Sequence, residues 1–68
     1  MTYRDVVRRQ KANGFNFDRQ AKGSHKIWYN PQSKHRTTIP NHPGTSPRGT
    51  LRAIIRQAGL TVDEFLDA

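Results

Sequence analysis

The sequence predicts a small α+β domain in which helices cover one face of a three-stranded antiparallel sheet. Three observations carry that expectation. Two segments, one near each end of the chain, repeat apolar residues at helical spacing. The stretch between them alternates at period two and is cut by short turns. Finally, 68 residues suffice for one domain, taken as residues 1–68, with a single small core.

The first helix is legible from its ends. Thr2 stands in the N-cap position, with Asp5 three residues on as its capping-box partner. Tyr3, Val6, Val7 and Gln10 form one stripe, while Arg4, Arg8 and Lys11 fall on another side. Asn13-Gly14 is a left-handed terminator. Phe15 to Gln20 then reads as a half-buried strand, with Phe15 and Phe17 on one face and Asn16 and Asp18 on the other. Ala21 to Ser24 is a turn, and His25 to Tyr29 a second strand. Asn30-Pro31-Gln32-Ser33 has turn composition, and a third strand, His35 to Ile39, is expected to stop at Pro40. Links this short make antiparallel neighbours.

Residues 41–46, with Pro43 and Gly44, are expected to be a loop. Ser46-Pro47 reads as an N-cap followed by proline at the first helical position. Leu51, Ile54, Ile55 and Ala58 make the next apolar stripe, and Gly59 ends the helix. Thr61 and Glu64 form a second capping box, with Leu60 stapled onto Phe65, so a short helix is expected over Val62 to Leu66. The order is helix, three antiparallel strands, helix, short C-terminal helix. Double-stranded-RNA-binding modules share this two-layer arrangement.

Composition narrows the function. With no cysteine, disulfides and thiolate metal sites are excluded, in keeping with a reducing cytoplasm. No apolar run reaches a membrane span, the N-terminus is no signal peptide, and no membrane role is expected. The net charge is +7, and it is unevenly spread. Residues 1–56 hold all twelve bases and two acids, whereas residues 57–68 hold three acids and no base. A surface this basic attracts polyanions and gains from counterion release, which favours a nucleic-acid partner. So small a core leaves no room for a large enclosed cofactor, so none is expected, and chemistry belongs on an open surface.

The segment Lys22-Gly23-Ser24-His25-Lys26 places an imidazole between lysines, just after a glycine turn. Histidine exchanges a proton near neutral pH, and the lysines attract phosphate. His25 faces the core if Ile27 and Tyr29 are buried, or the open face if Trp28 is; alternation alone leaves both open. Whichever of Trp28 and Tyr29 is left outside is suited to stacking on a base. His35 and His42 lack metal-ligand spacing with His25, so no metal site is expected. Ser24 adjoins His25 directly, so a strand would point the two apart and a nucleophilic triad is not expected. Arg48, Arg52 and Arg56 repeat every four residues, a self-repelling row that phosphates or an acidic protein would neutralise. The free N–H groups at that helix start suit phosphate as well.

Gln20-Ala21-Lys22-Gly23-Ser24-His25, Pro47-Arg48-Gly49-Thr50-Leu51-Arg52 and Gln57-Ala58-Gly59-Leu60-Thr61 together resemble the HicA toxins of HicA–HicB toxin–antitoxin pairs. Two positions depart from the usual pattern. Ala21 stands between the usual Gln and Lys, and Arg48 replaces a usual lysine, preserving charge but not point-charge geometry. The resemblance implies a double-stranded-RNA-binding-like fold, mRNA interferase activity, a HicB-like antitoxin as partner and a catalytic role for His25. On that expectation His25 accepts the 2′-hydroxyl proton without a metal, Lys22, Gly23, Ser24 and Lys26 meet the phosphate, and Arg48, Arg52 and Arg56 hold the strand. The acid for the leaving 5′-oxygen is left open among His35, Tyr29 and water. The alternative is a double-stranded-RNA-binding module without chemistry.

Overall fold

The computed structural model describes residues 1–41 and 44–67, so His42 and Pro43 lie outside the described residues. Its elements are α1 (Tyr3–Ala12), β1 (Asn16–Gln20), β2 (His25–Tyr29), β3 (Arg36–Pro40), α2 (Arg48–Gln57) and α3 (Val62–Asp67). The strands form one antiparallel sheet in the order β1-β2-β3. Val6 from α1, Trp28 and Ile39 from the sheet, Ile54 and Ile55 from α2, and Phe65 from α3 share one core. The helices thus cover one sheet face, as the α+β reading expects.

Local chemistry explains the helix ends. The Thr2 hydroxyl accepts the Asp5 N–H at 3.2 Å, and the Asp5 carboxylate accepts the Thr2 N–H at 3.1 Å. That backbone bond, foremost, and the Thr2 hydroxyl hold the Asp5 carboxyl below its ordinary value. At α3 the Thr61 and Glu64 pair repeats the motif, with bonds of 2.8 and 3.1 Å. Phe65 is fully buried and Leu60 packs against the core, as expected of a staple. Arg9 of α1 donates to the Leu66 carbonyl at 2.9 Å, which places a cation at the C-terminal end of α3.

Three expectations are corrected. β1 begins at Asn16 and is exposed along its whole length; Phe15 is buried just ahead of it, but Phe17 is 52% exposed. Phe17 lies on an edge strand and covers Trp28 from the flank, edge-on at 5.6 Å, instead of entering the core. A bulge sets Asp18 and Arg19 together opposite Ile27, which breaks the simple alternation. β3 runs one residue later than expected and includes Pro40, whose missing N–H is tolerated at the end of an edge strand.

Finally, Pro47, not Ser46, is the N-cap of α2, and no side chain caps it. Ser46 is instead buried, its N–H bonded to the Met1 carbonyl at 2.7 Å, beside a bridge between Thr2 and Thr45. Pairing with the start of the chain has claimed the residue that local sequence assigns to capping.

Two side chains fasten the end of the sheet away from His25. Asn30 accepts the N–H of Gln32 at 2.9 Å within the β2–β3 turn and donates to the Asn13 carbonyl at 3.2 Å, joining that turn to the end of α1. The His35 ring packs on Gly59, which has φ +72 and stands where an added Cβ would lie 2.7 Å from the ring.

Three stability outcomes follow from these contacts. Thr2→Ala should cost about 1 kcal/mol in urea unfolding at neutral pH. The stabilisation from the lowered Asp5 carboxyl is present above the ordinary carboxylate range and lost as pH falls through the folded-state value, so Asp5→Asn should unfold with a shallower acid dependence than wild type. Gly59→Ala should cost roughly 1–3 kcal/mol. Adding His35→Ala should recover the steric part of that loss but not the backbone part, as a double-mutant cycle would read.

Candidate active site

The register settles the side on which His25 stands. Trp28 is 4% exposed, beneath α1, and its cross-strand partner Thr37 is fully buried. Removing an indole from water is worth on the order of 5 kcal/mol, so β2 cannot slip by one residue without a large loss. Strand alternation therefore turns His25, Ile27 and Tyr29 to the open face. His25 is exposed there, at the first position of β2.

The turn preceding it holds the ring by its backbone. Gly23 has φ +69 and nothing near the place a Cβ would take, so this backbone is open to close approach. The Ala21 N–H reaches the His25 carbonyl at 2.9 Å, and the Asn41 N–H reaches the Ser24 carbonyl at 2.8 Å, fixing the turn from both neighbouring segments. The Lys22 carbonyl lies 3.1 Å from His25 Nδ1. A carbonyl can only accept, so this contact places a proton on Nδ1, and in the neutral ring that leaves Nε2 as the acceptor.

The flanking lysines are not equivalent. Alternation sends Lys26 to the helix-bearing side of the sheet, where its ammonium donates to the Gln20 side-chain oxygen. The Gln20 amide in turn donates to the Gly23 carbonyl at 2.8 Å. Lys26 thus supports the turn from behind, and Lys22 stays exposed within it. Ser24 is likewise exposed in the turn.

Residues directly opposite one another share a face, so the open surface can be mapped from the pairing. Tyr29 lies between Asn16 and Arg36, Ile27 between Arg19 and Thr38, and His25 beside Pro40. The Arg36 guanidinium sits 4.5 Å from the Tyr29 ring centroid. Asp18 lies 3.1 Å from Arg19 and 3.8 Å from Arg36, orienting both. Arg19 and Arg36 escaped the sequence reading; only the pairing of β1 and β3 with β2 brings them to this face.

The structure separates the remaining candidates. Tyr29 lies four strand steps from His25, about 13 Å, and His35 lies beyond the same far end of the hairpin. Neither can reach a group held at His25. The three arginines stand exposed along α2. Arg48 opens the helix after the short connection from Asn41, so it falls toward the end of the sheet that carries His25, while Arg52 and Arg56 lead away along α2. His42 lies outside the described residues.

No described helix is long and apolar enough to cross a membrane. No curated protein matches the chain. A family model described as HicA toxin of bacterial toxin-antitoxin does match, over residues 3–60, which takes in α1, the whole sheet and α2. With that match across most of its length, the chain belongs to the HicA toxin family, toxins for which a HicB-type antitoxin is the implied partner.

Proposed function

We propose that the chain is a metal-independent endoribonuclease that acts on mRNA in the cytoplasm, with His25 as its general base. The observation that carries this reading is the exposed His25 ring with Nδ1 held by the Lys22 carbonyl and Nε2 free to accept. Nε2 takes the proton from a ribose 2′-hydroxyl as that oxygen attacks the adjacent phosphorus. The P–O5′ bond breaks, and the departing oxygen takes a proton from water. The products are a 2′,3′-cyclic phosphate and a 5′-hydroxyl; the imidazolium returns its proton to the hydroxide left by that water, and no water oxygen is incorporated.

Lys22 supplies positive charge to the phosphoryl oxygens from within the turn. Gly23 and Ser24 let the RNA backbone approach, and Lys26 keeps the turn in shape through Gln20. Arg48 at the start of α2 attracts the strand toward this end of the molecule. On the open face, the Tyr29 ring backed by Arg36 offers a platform for a base a few nucleotides away from the cut.

The purified protein should cleave single-stranded RNA in the presence of EDTA, and His25→Ala should slow cleavage by about 10²–10⁴-fold with RNA affinity retained. Intact RNA at high protein excess would favour a binding module without chemistry. Substituting 2′-deoxyribose at the scissile nucleotide should abolish the cut; DNA cleaved at a comparable rate would refute the 2′-hydroxyl mechanism. In cells, induced expression of the wild-type chain should arrest growth while His25→Ala should not.

A further inference from the structure

The arginine row rims a second surface, of which the ribonuclease reading uses only Arg48 at one end. Between α2 and α3 runs a furrow made of two adjoining hollows of about 230 and 430 Å³, which share Arg52, Ile55 and Val62. Its floor is apolar: Leu51 and Ile55 come from α2, and Val62 and Leu66 from α3. Val62 and Leu66 are 52% and 43% exposed, and they are two of the few large apolar side chains the molecule presents to solvent. Arg48, Arg52 and Arg56 stand along the α2 side. Among the described residues, every ion pair involves Asp5 or Asp18, so none of the three has a carboxylate within bridging distance. The acidic residues of α3, Asp63, Glu64 and Asp67, do not line the furrow. α3 also lies beyond the residues matched by the family model.

We propose that this furrow docks an acidic amphipathic helix of a protein partner. The inference stands apart from the catalytic reading and does not need it. An apolar floor with a one-sided basic rim is the complement of a helix whose leucine-type residues are flanked by a row of carboxylates. Arg48 to Arg56 spans eight residues of α2, about 12 Å, so carboxylates at i, i+4 and i+8 on a partner helix match the row in step. The floor argues against RNA as the occupant. It exposes aliphatic side chains, and its one aromatic, Phe65, is fully buried, so no base can stack there. A second copy of this chain is disfavoured by the net charge of +7 that each copy would bring.

The test is fluorescence anisotropy at physiological salt with a labelled synthetic helix of roughly four turns, carrying leucines at i, i+3, i+4 and i+7 and glutamates at i+4 intervals beside them. The full-length chain should bind it. Peptides with the glutamates changed to lysine or the leucines to serine should each bind at least about tenfold more weakly. On the protein, Arg52→Glu and Leu66→Asp should each weaken binding by a similar factor with the circular dichroism unchanged. His25→Ala should bind as wild type does, which separates this surface from the catalytic one whether or not RNA is cleaved. Three outcomes would overturn the proposal. One is equal binding by the lysine peptide. Another is displacement of the peptide by a short single-stranded RNA from an Arg48→Ala variant, in which the one residue common to both readings is gone. The third is a dimer in sedimentation that Leu66→Asp dissolves, which would make a second copy the occupant.

Discussion

Burial of the Trp28 indole on the helix side of β2 is the constraint from which the rest of the molecule's geometry follows. One aromatic ring decides the facing of every other residue in that strand, because side chains alternate and the cost of exposing the indole exceeds any gain from turning the strand over. His25 is brought to the open surface by this packing choice three residues away. Phe17 from the edge strand and Lys11 from α1 complete the surroundings of the indole, so α1 and β1 both help to hold the histidine without touching it.

The sheet divides its labour along its length. At one end the backbone of Lys22, Ser24 and Asn41 holds a histidine with a free ring nitrogen. At the other end Asn30 and His35 pack into the closing turns of α1 and α2. The two histidines are alike in sequence context, each beside basic residues in a hairpin, and differ in what surrounds them. His35 is held against Gly59 and has a packing task, whereas His25 projects its acceptor into solvent. An open sheet surface suits a polymeric substrate, since a chain this short has no interior in which to enclose one.

Charge is organised by layer as well. On the open face, Arg19 and Arg36 are held by Asp18 and frame Tyr29. On the helix layer, the arginines of α2 lack such partners among the described residues and border apolar side chains. The result is two basic surfaces of different character, one polar with an aromatic and one with an aliphatic floor.

The helices, their order and the capping boxes at Thr2 and Thr61 were legible in the sequence because they depend on contacts between residues three or four apart. So was the candidate histidine, as residue type and neighbours, and so was the family, whose marks lie in short local motifs. What only the tertiary structure decided was non-local. Trp28 rather than Tyr29 went inside, Ser46 was taken from its capping position by the start of the chain, and Lys26 was carried behind the sheet, away from His25. The same holds for Arg19 and Arg36 and for the furrow between α2 and α3, each assembled from elements distant in sequence or turned toward each other by packing. The physical reason is common to all of them: spacing along a chain determines which faces an element has, and only burial against other elements determines which face is covered.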